Sequence, residues 1–286
     1  MTGAAQLRID ANGPFDHDAA LRVLAAHSAP ELYRLDADAA ELTRWVHVHG
    51  DPQPITVSLD SGGATVTTGT LDEGVNEELA ARVQRWFDLD ADLTPVNAHL
   101  GADEALVEHV RSRPGIRITR FHSPFEAAVL TILGQQVSLA AGRLFASRLL
   151  AAYGTSPPRG ARGSVLRCFP SPAVLGTVPT HELRTTVGLT GARARTIQEV
   201  AELFARTDDT ESLPEQADLQ AIHGIGSWTL DHLAIRAGTS VDAFPAGDAV
   251  LRRALAAIDP TIDAVRVASW SPYRSYAASR LWAGAA

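Results

Sequence analysis

The residues best placed to do chemistry lie within Leu219–Leu251, LQAIHGIGSWTLDHLAIRAGTSVDAFPAGDAVL. Ile222-His223-Gly224-Ile225-Gly226 reads as a tight turn opening into a helix patterned by Trp228, Leu230, Leu233 and Ala234. Two glycines one residue apart let the backbone bend and leave no Cβ over the turn's amides. Those amides, with the unpaired N–H groups of the helix that follows, suit an anion, and phosphate first. A glycine pair of this kind, taken alone, more often only joins two helices. The second feature is a lone carboxylate, Asp248, 22 residues beyond Gly226 and just after Phe244-Pro245-Ala246-Gly247. It can cap a helix. It can also orient water or stabilise positive charge that develops in a transition state.

Together these features form a specific pattern. Leu219-x-x-Ile222-x-Gly224-Ile225-Gly226-x-x-Thr229 resembles the helix-hairpin-helix of DNA-repair glycosylases, in which an essential aspartate follows the hairpin at about this distance. The runs GIGSWT, F-PAGD--L and WSPYRSYA resemble the 3-methyladenine DNA glycosylase II family specifically. The resemblance covers nearly the whole chain and is strongest from Phe125 to Trp282. It implies a monofunctional base-excision repair enzyme that flips alkylated bases out of duplex DNA and hydrolyses their N-glycosidic bond, without lyase activity. Asp248 would be the catalytic carboxylate, with Trp228 and Trp282 lining the base pocket. Gln136, in Leu133-Gly134-Gln135-Gln136-Val137-Ser138, would be the wedge that fills the gap in the base stack. Gly224, Ile225, Gly226 and Thr229 would hold a DNA phosphate. Backbone carbonyls of Gln220, Ile222 and Ile225 would hold a monovalent cation. The chain departs from the family pattern at Val23, Ala249 and His232, where aromatics are usual. It departs also at Gln136, where leucine is best known, and at His223, which replaces a proline. A non-catalytic helix-hairpin-helix DNA-binding protein is the alternative reading.

The chemistry fits a single carboxylate. Breaking an N-glycosidic bond builds positive charge on the sugar, and an alkylated base that is already cationic leaves with little acid catalysis. Electron-rich indoles attract such a base through cation–π contact. The chain has no lysine, so no side-chain amine can form a Schiff base. Its one cysteine, Cys168, cannot supply a four-thiolate iron–sulfur cluster.

A net charge of −8 opposes binding to a polyanion unless the charges are segregated. They are. Residues 1–95 carry 16 acids and 6 arginines, a balance of −10; residues 96–286 carry 17 and 19, a balance of +2. The phosphate contacts are therefore expected after residue 95. The chain is 45% apolar, and no apolar run is long enough to span a bilayer. With no secretory signal pattern, a cytoplasmic, nucleoid-associated monomer is expected.

The elements that must position these residues read as α+β. A mixed α/β domain over 1–94 should precede an all-α helix-hairpin-helix domain over 95–286. The latter divides into one helical subdomain from 95–122 and 241–286 and another from 123–240. Strands are expected at Gln6–Ile9, Leu42–His49, Ile55–Leu59 and Ala64–Thr68, with a hairpin turn at Asp60–Gly63. Helices are expected over Phe15–His27 and Val75–Phe87. Ser123-Pro124-Phe125-Glu126 reads as a capping box with proline at the first helical position, and Ser138 should cap the next helix. Residues 155–172 read as a loop rich in proline and glycine. A helix presenting Arg193 and Arg195 precedes the hairpin. Ser271-Pro272-Tyr273 opens a last helix that ends near Trp282. His47 and His49 share a strand face in this reading, with no third metal ligand in view.

Overall fold

The computed structural model describes residues 5–156, 165–207 and 212–285; Pro157, Pro158, Gly160 and Gly163 of the expected loop lie outside them. The chain begins as β1 (Ala5–Asp10), α1 (His17–His27), β2 (Tyr33–Asp36), β3 (Glu41–Val48), β4 (Asp51–Asp60), β5 (Gly63–Thr68) and α2 (Glu73–Trp86). Helices follow: α3 (Leu93–Leu100), α4 (Val107–Ser112), α5 (Pro124–Gly134), α6 (Leu139–Tyr153), α7 (Pro172–Thr177), α8 (Thr180–Val187) and α9 (Gly191–Ala205). The last five are α10 (Gln216–Ala221), α11 (Ser227–Arg236), α12 (Ala249–Ile258), α13 (Ala264–Ser269) and α14 (Arg274–Gly284). The α+β class holds: an antiparallel sheet in the order β1-β5-β4-β3-β2 precedes a helical body.

Period-two alternation in β3 buries Leu42, Arg44, Val46 and Val48 on one face. Arg44 is the exception in an otherwise apolar row, and it has a partner from outside the sheet. Its guanidinium makes a bidentate pair with Glu126 at 3.1 and 2.6 Å, both side chains almost wholly buried. This corrects the capping-box expectation. Ser123 does cap α5, accepting from the Glu126 amide at 3.2 Å, but the Glu126 carboxylate is used by Arg44 and joins sheet to helix. Removing either partner would strand a buried charge. A second correction concerns His49: β3 ends at Val48, and His49 turns out of the strand at φ 50° to pair with Glu78.

Two hydrophobic clusters hold the body together. One joins the sheet's inner face, α1 and α2 to α5, α6 and α9; the other joins α3, α4, α12 and α14. Helix α11 serves both, burying Leu233 in the first cluster and Ile235 in the second. The end of α11 is thus held from both sides, and Ile225 of the glycine turn before it is buried in the first cluster.

Candidate functional site

Between the two clusters lies a cleft of about 1480 Å³, lined by α1, the α5–α6 turn, the glycine turn and the starts of α9 and α12, with the end of α14 closing it. Its described lining holds five arginines (Arg22, Arg143, Arg193, Arg236 and Arg253) and one carboxylate, Asp248. An acidic chain thus presents a basic groove. Most of those arginines follow residue 95, as the charge distribution implied; Arg22 comes from the acidic domain, which the sequence did not suggest.

The glycine turn divides its work between its two glycines. Gly224 adopts φ 95°, and a Cβ there would meet Thr196 Oγ1 at 2.8 Å, so the fold itself requires glycine. Gly226 is extended, and a Cβ there would meet nothing within 4 Å. The fold does not need that glycine. It is the N-cap of α11 and offers no side-chain hydrogen bond, so the first amides of α11 open onto the cleft. Two expected phosphate contacts are placed differently. The Ile225 amide donates to the Ile222 carbonyl at 3.1 Å and closes the turn. The Thr229 side chain is buried, its hydroxyl accepting from Gln135 Nε2 at 2.9 Å, which leaves only its backbone for the expected contact. Of the carbonyls expected to hold a cation, Ile222's therefore already accepts one bond, while Gln220 lies in the last turn of α10, where carbonyls lack helical partners.

Asp248 is half-buried and caps α12. Its Oδ1 accepts from the amides of Val250 and Leu251, both at 2.9 Å, and from Trp282 Nε1 at 3.2 Å. Its Oδ2 faces Trp228 Nε1 at 3.4 Å. The two tryptophans expected in the base pocket thus meet at the expected carboxylate, from helices α11 and α14. With Oδ1 saturated, Oδ2 is the oxygen with capacity left.

Behind the indoles sits His232, stacked on Trp228 (ring centroids 5.2 Å apart) and edge-on to Trp282 (5.7 Å). The Arg236 guanidinium lies 4.7 Å over the Trp282 ring. Burial lowers the Arg236 pKa to about 10, a fall that Asp248 opposes, and the residue stays charged at neutral pH. Burial first, and then the charges of Arg236 and Arg143, push His27 down to about 3. Burial and Arg236 likewise hold His232 well below its ordinary value. Val23 and Ala249, the other departures from the family's aromatics, also line the cleft.

The α5–α6 turn carries the expected wedge. Gln136 is exposed on the cleft at φ 53°. Its neighbour Gln135 was not anticipated. Gln135 Nε2 donates to the Gly224 carbonyl at 3.0 Å and to Thr229, while its own carbonyl accepts from Arg193. Gln135 thereby ties the wedge turn to the glycine turn and to α9, and Thr196 of α9 braces the glycine turn by donating to the His223 carbonyl at 2.7 Å. A pair of glutamines in a turn was the only signal in the sequence.

Comparison with known proteins matches residues 6–123 to the AlkA N-terminal domain and residues 129–264 to the HhH-GPD superfamily base excision DNA repair protein. DNA-3-methyladenine glycosylase 2 of Escherichia coli is 30% identical over 73% of this chain and 73% of its own length. A Mycobacterium tuberculosis protein named "Probable bifunctional transcriptional activator/DNA repair enzyme AlkA" is 32% identical over 98% of this chain, which spans 57% of that relative. Among solved structures, 3-methyladenine DNA-glycosylase from Archaeoglobus fulgidus shares the fold, with a TM-score of 0.80 at 18% identity, covering 96% of this chain and 97% of its own.

Proposed function

We propose, from the premise that this chain belongs to the DNA-3-methyladenine glycosylase II family, that it excises alkylated bases from duplex DNA by hydrolysis. The observation that carries this is the half-buried Asp248, held by two indole N–H groups inside an arginine-lined cleft. Arginines and the open end of α11 bind the phosphates on either side of the lesion. The target base leaves the stack at a cost of a few kcal/mol, and Gln136 fills the space it vacates. In the cleft the base meets the faces of Trp228 and Trp282. As the glycosidic bond breaks, positive charge grows on the sugar and Asp248 Oδ2 faces it, orienting the attacking water. A monovalent cation on the carbonyls of Gln220, Ile222 and Ile225 would add positive charge at the phosphate turn. The protein acts as a monomer in the compartment that holds the chromosome.

With no lysine in the chain, water is the nucleophile and the product is an intact abasic strand. Incubation with methylated duplex DNA should release free methylated bases, identified by mass spectrometry. The strand should break only after alkali, and borohydride should trap no protein–DNA adduct. Tight DNA binding with no base released would favour the non-catalytic reading, and a robust trapped adduct would exclude the hydrolytic route.

A further inference from the structure

Polar groups at the back of the base pocket can choose between bases that stack equally well, and here one such group is His232. The ring is 9% exposed and lines the cleft. It touches both indoles, so a base lying against them comes within reach of its edge. Its Nδ1 lies 3.2 Å from Thr131 Oγ1 on α5. Which atom carries the proton follows from the partners of that hydroxyl. Helical threonines elsewhere in the chain, Thr177 and Thr185, donate to the carbonyl one turn earlier. The Thr131 hydroxyl has no such bond among the described residues, and His232 Nδ1 is the acceptor within its reach. Thr131 therefore donates to Nδ1, and the proton of the neutral ring sits on Nε2. Nε2 has no protein partner among the described residues, so a donor is presented to the cleft.

We infer that His232 is a specificity-determining residue whose Nε2–H reads a hydrogen-bond acceptor on the flipped base, favouring 6-oxopurine lesions over 6-aminopurine lesions. The inference rests on the glycosylase reading above. A carbonyl oxygen accepts the bond, whereas an exocyclic amine would set donor against donor and leave a buried polar group unpaired. Aromatic residues at this position would offer stacking area alone. With His232, the same wall gains direction.

The test uses the full chain and methylated duplex DNA, reading initial rates of release of 3-methylguanine and 3-methyladenine by mass spectrometry, each relative to its amount in the DNA. His232→Phe keeps the ring contact and removes the donor; it should lower the 3-methylguanine to 3-methyladenine ratio roughly tenfold. His232→Gln restores an N–H donor and should hold the ratio within about threefold of the parent. Thr131→Val frees the imidazole tautomer and should lower the ratio about threefold, a result that does not depend on the Phe variant folding. An unchanged ratio in His232→Phe, with both bases still released, overturns the inference and leaves the glycosylase reading standing. Release of neither base by the parent protein overturns both.

Discussion

Two of the helices that begin at the cleft, α11 and α12, begin in opposite ways. Helix α12 starts on Asp248, whose Oδ1 accepts two of its first amides. Helix α11 starts on Gly226, which has no side chain to give, and its first amides face the groove uncapped. Each end carries the same partial positive charge. The chain has filled one with its own carboxylate and left the other for an anion from outside. The filled end becomes a rigid site for chemistry, since capping and the two indoles fix the carboxylate. In the proposed function the open end is a grip that takes any phosphate and reads no sequence.

The sharpest way to break this contrast is to block the open end. Because a Cβ at Gly226 would meet nothing, Gly226→Leu should fold normally while placing its side chain before the α11 amides. Fluorescence anisotropy should show DNA affinity falling by roughly tenfold or more, for damaged and undamaged duplexes alike. A loss confined to lesion-bearing DNA would mean that this end reads the base. Gln135→Ala is the next largest change. Without the bonds to Gly224 and Thr229 the two turns separate, and single-turnover excision should slow about fivefold, with a smaller loss of affinity. An unaltered rate would show that the turns are independent.

Loosening the filled end has a smaller effect. Trp282→Phe keeps an aromatic face but deletes one of three donors to Oδ1, and the excision rate should fall about threefold. Equal rates would detach the indole N–H from the chemistry. Last comes the response of three buried histidines to acid. His27, His122 and His232 are held neutral by burial, His27 at about 3. Their folded values lie below the unfolded value near 6.5, so the unfolded chain binds more protons between those limits. Stability is full above about pH 6.5 and is lost as pH falls. Between pH 7 and pH 5 thermal melts should show a loss of about 2 kcal/mol per ring, roughly 6 kcal/mol for the three together. A flat profile would mean that these rings take up protons as readily in the folded protein as in the unfolded chain.

Much of this contrast could be read from the sequence, for a physical reason. Although the roles of Asp248 and of both tryptophans came as what the family resemblance implied, the glycine turn and the helix start at Asp248 are local patterns, set by two glycines and a capping carboxylate. The strands with clean alternation were legible for the same reason, whereas β2, only four residues long, and the short helices α3, α4 and α13 were not. What stayed hidden is long-range. Glu126 looked like half of a capping box because its true partner, Arg44, lies 82 residues away on a strand. Gln135 reaches 89 residues forward to Gly224. The meeting of both indoles on Asp248 needed three helices in place. Arg22 and His27 reach the cleft from the acidic domain, where charge counting expected no contact.

Asp248→Asn tests the division of labour most directly. Asparagine caps a helix nearly as well as aspartate, so α12 and the fold should persist while the negative charge is lost. Single-turnover excision of alkylated bases, measured with enzyme saturating the DNA, should fall by roughly a thousandfold or more. Affinity for the same duplex should stay within about threefold, since the phosphate grip lies at the other helix end. Near-normal excision by Asp248→Asn at saturation would contradict the account, because the carboxylate at the filled end would then not be what removes the base.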